Sequence, residues 1–260
     1  MTDRGVARLS PRNPRLQRLR RLSTDRRFRT GEGAFVVEGP HLVADAVAAG
    51  LAVAVFVEPD VALPALVGGA DVEVHLVEPG ALGRVTDATT SQGIAAVATR
   101  RPAALEAVEA GSPVLVLVEV GDPGNAGTLL RSAEAAGFGA VLFTRGSVDP
   151  WSPKCVRASA GAVLRVPVID GGEAVTVLEE VAATGRRRIG SRARSGVPHH
   201  EADLPPDVAL VLGSEAHGLP AAVADALDGW VSIPMAGGGE SLNVAMAGTI
   251  LCFEVARRRG

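Results

Sequence analysis

The sequence predicts an α/β protein, and three observations lead to that fold class. Short runs of apolar and β-branched residues recur along the chain, such as VLVLVEV at 114–120. Amphipathic segments lie between them, such as HLVADAVA at 41–48, in which apolar residues recur three and four positions apart. Apolar residues fill 47% of the 260 positions, enough for a sizeable core. Strands alternating with helices are typical of a mostly parallel sheet covered on both faces.

The first hundred residues predict a small α/β unit. A basic helix is expected from about Pro14 to Leu22, followed by a loop and then by a strand at Ala34–Glu38. The amphipathic helix comes next and stops at Gly50. Further strands are predicted at 51–58, 72–78 and 91–98.

A segment at 99–113 separates this unit from the rest of the chain. It contains charges, proline and glycine without an apolar period, so we expect two domains, 1–105 and 106–260. In the second domain, Asn125 is placed to cap a helix at 125–137, and Gly137 is placed to end it. The other elements predicted there are a closing helix at 242–258 and strands at 114–120, 140–144, 163–169, 209–213 and 230–234.

Charge is distributed unevenly along the chain. Residues 1–30 hold ten arginines and two aspartates, a local charge of +8, whereas the whole chain carries −3. The other 230 residues therefore carry −11. A basic arm on an acidic body favours a polyanionic partner such as RNA or DNA, although a solvated helical face would have the same composition. The candidate RNA contacts in the arm are Arg15, Arg18, Arg20, Arg21, Arg26 and Arg27.

Composition also argues against several classes of protein. Cys155 and Cys252 are too few for a disulfide framework or a zinc site, so we expect a reducing compartment and no metal. The first 22 residues lack the apolar region of a secretory signal. No stretch approaches the roughly 18 apolar residues that a membrane-spanning helix needs. We therefore expect a cytoplasmic protein that does not cross a membrane.

The first of three glycine-containing segments is DPGNAGTLLRSAEAAG at 122–137, which leads from a predicted strand into a helix. Open α/β sheets bind ligands at such points. Asn125 precedes Arg131 by six residues, and its amide could hold the guanidinium in one orientation. A capping asparagine and a surface arginine would have the same spacing, so both interpretations stay open. The G-x-G-x-x-G of dinucleotide sites is absent.

The second segment is LVLGSEAHGLP at 210–220. Ser214 directly follows Gly213, so the G-x-S-x-G of a hydrolase nucleophile is absent. Gly213 would let a ligand approach the backbone, and Glu215 is placed at an expected helix start. His217 is interpreted as a histidine in a surface turn.

The third segment is IPMAGGGESLNVAMAGTI at 233–250. It lacks the G-K-[ST] of a phosphate-binding loop. Its glycines could wrap a flat ligand with backbone groups, while Ser241 and Asn243 offer a hydroxyl and an amide. A serine that caps a core helix is the alternative, and spacing alone does not decide between them.

Taken in order, the three segments resemble the SpoU (TrmH-type) RNA 2′-O-methyltransferases of the SPOUT superfamily. The first matches the motif N-x-G-x-x-x-R-x-A, the second G-x-E-x-x-G after a strand, and the third I-P-M followed by S-L-N-V. The matching positions are Asn125, Gly127, Arg131 and Ala133; Gly213, Glu215 and Gly218; and Ile233, Pro234, Met235, Ser241, Leu242, Asn243 and Val244.

The resemblance implies a parallel-sheet domain with a deep trefoil knot, and a homodimer with the site near the subunit interface. It implies transfer of a methyl group from S-adenosylmethionine to a ribose 2′-hydroxyl of RNA. The sulfonium is already a good leaving group, so no metal is expected. The cofactor-binding residues implied are Leu212, Gly213, Ser214, Gly218, Ile233, Met235, Ser241, Leu242, Asn243 and Ala245.

The resemblance also implies a catalytic set. Arg131 is the family's base or hydroxyl activator, but arginine is hard to deprotonate, so we expect it to orient the ribose hydroxyl and the adjacent phosphate of the RNA. Asn125 would fix Arg131, and Glu215 would organise the pocket and touch RNA. Ser241 and Asn243 would position Arg131 or the substrate.

The front half resembles the substrate-binding domain of many rRNA-modifying members, a fold similar to certain RNA-binding ribosomal proteins. EGPHLVADAVAAG and SQGIAAVA carry this similarity, with Ser91 where many members have histidine. A separate front domain favours large-subunit (23S) rRNA as the substrate. A tRNA 2′-O-methyltransferase, an antibiotic-resistance rRNA methylase and a non-catalytic RNA-binding assembly factor remain alternatives.

Overall fold

The computed structural model describes residues 8–86, 90–215, 217–237 and 239–259. It divides into two compact units. The first unit runs to Arg101 and also includes Trp151–Leu164, and the second unit contains Pro102–Pro150 and the chain from Arg165 onward. The first unit thus takes in a segment beyond the predicted boundary, and the domains 1–105 and 106–260 stay a prediction.

Helices and strands alternate along much of the chain, as expected of an α/β protein. The helices are α1 (Pro14–Thr24), α2 (Arg26–Glu32), α3 (Pro40–Ala48), α4 (Ala65–Gly68), α5 (Pro123–Ala135), α6 (Pro153–Ala158), α7 (Ala174–Ala183), α8 (Ala221–Asp225) and α9 (Val244–Arg259). The strands are β1 (Ala34–Glu38), β2 (Ala52–Val57), β3 (Glu73–Leu76), β4 (Ile94–Thr99), β5 (Val114–Leu117), β6 (Ala140–Phe143), β7 (Val168–Asp170), β8 (Arg188–Ser191), β9 (Val197–Pro198), β10 (Ala209–Leu212) and β11 (Gly229–Ser232).

The first unit is a four-stranded sheet in the order β1-β4-β2-β3. Strands β1 and β2 run antiparallel to β4, and β3 runs parallel to β2. Helix α1 begins after Asn13, whose side chain accepts a hydrogen bond from the Arg15 N–H at 2.9 Å. Leu16, Leu19 and Leu22 recur every three residues and are fully buried in the core of this unit. Their burial, rather than the basic residues between them, holds α1 in place.

Two expectations for local structure were wrong. Residues 26–32 form helix α2 where a loop was expected, because Asp25 accepts a hydrogen bond from the Phe28 N–H at 3.1 Å and caps it. The sequence of α2 has no apolar period, so pattern alone could not find it. The strand expected at 163–169 is reduced to β7, and residues 162–164 form a 3₁₀ turn instead.

The second unit is a seven-stranded sheet in the order β7-β6-β5-β10-β8-β11-β9. All of its described pairs are parallel, which confirms the predicted α/β class with a mostly parallel sheet. Helices cover both faces. Val211 belongs to the core that α7 and α8 bury, whereas the next residue, Leu212, faces α9. At Gly248 of α9 a Cβ atom would lie 2.6 Å from Leu212 Cδ1, so only glycine allows this close packing.

Near β8 the order of the strands in the sheet differs from their order in the sequence. Strand β10 follows β8 in sequence and β11 follows β10, yet β8 lies between them. After β8 the chain passes so close to β11 that a Cβ atom at Gly196 would lie 2.6 Å from the Val231 carbonyl carbon. The Ser232 hydroxyl donates to the Gly196 carbonyl at 2.9 Å. Among the described helices, none is both long and apolar enough to cross a membrane.

Candidate active site

A cavity of about 420 Å³ lies in the second unit, where the carboxyl ends of β8, β10 and β11 meet. Parallel strands end at the same edge of their sheet, which brings the second and third glycine-containing segments together. The lining residues are Ser191, Arg192, Ala193, Leu212, Gly213, Ser214, Glu215, Gly218, Ile233, Met235, Ser241, Leu242, Asn243, Val244 and Ala247.

The candidate cofactor residues are nearly all found here. Nine of the ten line the cavity, and they come from both motif segments. Ala245 is the exception, because it is buried in the first turn of α9 and its N–H donates to the Asn243 side chain at 2.9 Å. It lies behind the lining residues and is not among them.

The turn after β10 explains the spacing of Gly213 and Gly218. Ser214 and Gly218 exchange backbone hydrogen bonds of 3.1 and 2.9 Å, and Gly218 has a φ of 66°. A Cβ atom at Gly213 would collide with the backbone of Gly218 and lie 2.7 Å from the Leu219 nitrogen. Gly213 was expected to let a ligand approach the backbone; it lines the cavity, and the chain itself also approaches it closely. Both glycines are therefore required by the turn that presents Ser214 and Glu215.

A hydrogen-bond network joins the three motif segments at the cavity. The Asn125 amide donates to the Glu215 carboxylate. The Asn243 amide donates to the Asn125 side-chain oxygen at 3.1 Å. Asn125 on α5 thus links the turn after β10 to the start of α9, and the three side chains hold one another in fixed orientations.

The helix caps differ from those expected. Asp122 caps α5 by accepting a hydrogen bond from the Asn125 N–H at 2.8 Å, so Asn125 is not the cap and its side chain is free for the network. Asn243 caps α9, because its side-chain oxygen accepts from the N–H groups of Ala245 and Met246 at 2.9 and 3.3 Å. Glu215 lies in the turn rather than at a helix start, since α8 begins only at Ala221.

Arg131 does not join this network. It lies six residues beyond Asn125, which on a helix is about 9 Å along the axis and on a different face. Its side chain is exposed and is not among the residues that line the cavity. Within the described part of the chain it forms no hydrogen bond or ion pair. The expected contact in which Asn125 holds Arg131 is therefore absent from the described structure, and Asn125 instead bonds Glu215 and Asn243.

Sequence reasoning missed Arg192 and its neighbours Ser191 and Ala193 at the end of β8. The guanidinium of Arg192 stacks on the Trp230 ring, 3.3 Å from the ring centroid. The signal that could have found these residues is their place directly after a parallel strand. It was missed because β8, RIGS, is short and half charged or polar.

The candidate RNA contacts of the first unit fall into two groups. Three of them have partners: Arg15 lies 3.7 Å from Glu73, Arg18 lies 2.8 Å from Glu32, and Arg21 stacks on the Phe28 ring at 3.8 Å. Arg26 also has an interaction partner. Arg20 and Arg27 are exposed, and their side chains have no partner among the described residues. They present unneutralised positive charge.

Comparison with known proteins assigns the class. The model of the SpoU rRNA Methylase family matches residues 112–253, and that of the MRM3-like substrate binding domain matches residues 13–96. The fold and cavity are thus those of an RNA methyltransferase. The chain belongs to the SpoU rRNA methylase family.

Individual relatives match this chain along nearly its whole length. The 23S rRNA (guanosine(2553)-2′-O)-methyltransferase RlmP of Bacillus subtilis is 31% identical, over 95% of this chain and 97% of the relative. The SpoU methyltransferase AviRb of Streptomyces viridochromogenes, solved with AdoMet, has a TM-score of 0.85 at 26% identity over 95% and 99% of the two chains. An AdoMet-bound rRNA methyltransferase of Sinorhizobium meliloti has a TM-score of 0.85 at 27% identity over 97% and 98%.

Proposed function

We propose that this protein transfers a methyl group from S-adenosylmethionine to a ribose 2′-hydroxyl of ribosomal RNA, with large-subunit (23S) rRNA as its substrate. The observation that carries the proposal is the network of Asn125, Glu215 and Asn243, which joins all three motif segments at one cavity. RlmP of Bacillus subtilis, a relative over nearly the full length, is a 23S rRNA 2′-O-methyltransferase. DNA lacks the 2′-hydroxyl, so the reaction selects RNA.

The cavity fits the cofactor. Ligand sites of this kind measure about 300–1,000 Å³ and combine apolar walls with a few polar groups. Here Ile233, Met235 and Leu242 supply apolar surface, and Leu212 and Gly213 lie beside them in the lining. These residues would hold S-adenosylmethionine, with Ser214, Gly218, Ser241 and Asn243 around them.

S-adenosylmethionine, when bound, supplies the methyl group that is transferred, and its sulfonium sulfur is the leaving group. Arg131 orients the ribose hydroxyl and the adjacent phosphate, and its guanidinium stabilises the negative charge that develops on O2′ as the proton leaves. A guanidinium is poorly suited to accept that proton, so the role of Arg131 is electrostatic and the proton passes to solvent water. The hydrogen bonds among Asn125, Glu215 and Asn243 hold the turn after β10 against the start of α9. Ser241 lines the cavity, where its hydroxyl would contact the substrate.

A homodimer through α5 and α9 completes this arrangement. Met246, Ile250 and Phe253 form an apolar stripe on α9, with 63%, 38% and 50% of their surfaces exposed. Helices α5 and α9 pack side by side through Ser132 and Thr249, whose hydroxyls are 2.7 Å apart, so their outer faces form one surface. A two-fold interface uses the same patch on both subunits. It would bury the stripe and bring Arg131 to the interface, which suits an arginine that does not line the cavity of its own chain.

The trefoil knot belongs to the same proposal. The strand order β10-β8-β11 and the tight passage at Gly196 support a chain that threads through its own loop. A knot would clamp the cofactor loops against one another. The first unit would recruit RNA through its basic arm, and the protein would work in the cytoplasm, where its two free buried cysteines stay reduced.

The experiment is methyl transfer from radiolabelled S-adenosylmethionine to unmodified rRNA, with Arg131→Ala in parallel. The proposal predicts transfer by the wild-type protein and a loss of about 100-fold or more in the variant, because an interaction made in the transition state is removed. Affinity for the cofactor, measured by calorimetry, should change less than about threefold. A fully active variant would remove Arg131 from the mechanism.

A further inference from the structure

Arg192 is a cation that the fold holds on the wall of the cavity. It follows β8 directly and lines the cavity, and its N–H donates to the Val231 carbonyl at 3.0 Å. The central carbon of its guanidinium lies 3.3 Å from the centroid of the Trp230 ring. A stacked guanidinium has a fixed plane and fewer rotamers to lose on binding, so it is preorganised to receive an anion.

The support for Arg192 is built into two strands. Trp230 of β11 pairs with Gly190 of β8, and a Cβ atom at Gly190 would lie 3.0 Å from Trp230 Cζ3. Glycine at position 190 therefore makes room for the ring, and the ring in turn carries the guanidinium.

Among the residues that the structure describes, none supplies a countercharge to Arg192. It forms no ion pair with any residue in the described ranges of the chain. Among the described residues that line the cavity, Glu215 is the only other charged one, and its carboxylate accepts a hydrogen bond from Asn125. The residues that line the cavity therefore include a cation with no described countercharge.

We propose that Arg192 binds the carboxylate of the methionine moiety of S-adenosylmethionine, an inference that rests on the proposed function. The cofactor carries a sulfonium, an ammonium and one carboxylate. A guanidinium on the wall would repel both cationic groups and weaken binding unless it faced the carboxylate. Charge-assisted, bidentate contact with a carboxylate is the interaction that an oriented guanidinium makes best. Arg192 is then a specificity residue that distinguishes ligands with the carboxylate from those without it.

The test is calorimetry with two ligands that differ only in this group, S-adenosylmethionine and decarboxylated S-adenosylmethionine. Arg192→Gln should weaken binding of S-adenosylmethionine about tenfold or more and change binding of the decarboxylated ligand less than about twofold. The wild-type protein should prefer S-adenosylmethionine by a similar factor. Trp230→Leu should lose part of that preference, because the guanidinium is no longer held. Arg194→Gln, an exposed arginine in the same loop that does not line the cavity, is the matched control and should change neither affinity.

Each of the other possible results would overturn the inference about Arg192. Equal loss for both ligands in Arg192→Gln, or no loss for either, would overturn the inference while leaving the proposed function standing. Unchanged cofactor affinity with weakened binding of rRNA in a filter assay would assign Arg192 to an RNA phosphate and also overturn it. Failure of the wild-type protein to bind S-adenosylmethionine would overturn the proposed function, and this inference with it.

Discussion

The cavity of the second unit and the basic helices of the first are both polar surfaces, but they are organised in opposite ways. At the cavity, polar side chains bond one another across three segments, as in Asn125 with Glu215 and Asn243. On α1 and α2, Arg20 and Arg27 extend into solvent without a partner in the described structure. The first surface depends on geometry and the second on charge. Single substitutions should therefore act sharply in the cavity and gradually, with salt dependence, on the helices.

Among substitutions that test this contrast, Gly213→Ala is expected to have the largest effect, on cofactor affinity. A Cβ atom there collides with the backbone of Gly218, so the turn after β10 must open, at a cost of about 1–3 kcal/mol or more. Affinity for S-adenosylmethionine should fall about 10–100-fold in calorimetry. Gly172→Ala is the matched control, because nothing lies within 4 Å of its added Cβ atom. Equal behaviour of the two variants would show that the cavity is not fixed by this turn.

Asn125→Ala should come next. It leaves the Glu215 carboxylate and the Asn243 amide without their shared partner, so the turn after β10 and the start of α9 are no longer held together. The rate of methyl transfer should fall roughly 10-fold or more. Glu215→Gln should lose less, because its amide oxygen can still accept a hydrogen bond from Asn125. If both variants kept the wild-type rate, the network would be a packing feature and not part of the site.

The basic helices should respond more weakly. The double variant Arg20→Gln/Arg27→Gln should lower affinity for rRNA several-fold and reduce the slope of log affinity against log salt by roughly 1–2, since each lost phosphate contact removes about 0.7–0.9. Titrations at several salt concentrations measure both quantities. Arg165→Gln, in the second unit and paired with Glu134, is the control. A slope unchanged from wild type would assign RNA binding to another surface.

The smallest effect on methyl transfer is expected at a charge cluster outside both regions. Hydrogen bonds from Arg257 and then Arg258 lower the pKa of Glu254 from 4.5 to about 2. Arg258 also donates to the Ala202 and His199 carbonyls at 2.5 and 3.0 Å, tying that segment to α9. Because the folded-state pKa is depressed, the stabilisation is present above about pH 4.5 and is lost as the pH falls towards 2.

Glu254→Gln should therefore lower the free energy of unfolding by roughly 1–3 kcal/mol at pH 7. The difference from wild type should shrink as the pH falls below about 4.5. Urea unfolding between pH 7 and pH 3 measures it, with the exposed Glu179→Gln as control. A difference that does not depend on pH would mean that packing, and not charge, stabilises this end of α9.

The sequence predicted the α/β class because buried parallel strands such as VLVL at β5 can be recognised as short apolar runs. That the second and third segments build one site followed from the resemblance to the SpoU family and not from the strand pattern. The hydrogen-bond and stacking partners of individual side chains could not be predicted from the sequence. Asn125 looked like a cap because Asp122, three residues earlier, was not recognised as the one that serves. Helix α2 and Arg192 were missed because a short cap-driven helix and a cation–ring stack leave no periodic signal.

The central claim is best tested by the chemistry of the product. Unmodified large-subunit rRNA and total tRNA would each be incubated with radiolabelled S-adenosylmethionine and the wild-type protein, then hydrolysed with alkali. We predict that label enters the rRNA and is recovered in an alkali-resistant dinucleotide, because a 2′-O-methyl group blocks cleavage at that position. Label recovered in mononucleotides would contradict ribose methylation, and label confined to tRNA would contradict the proposed substrate.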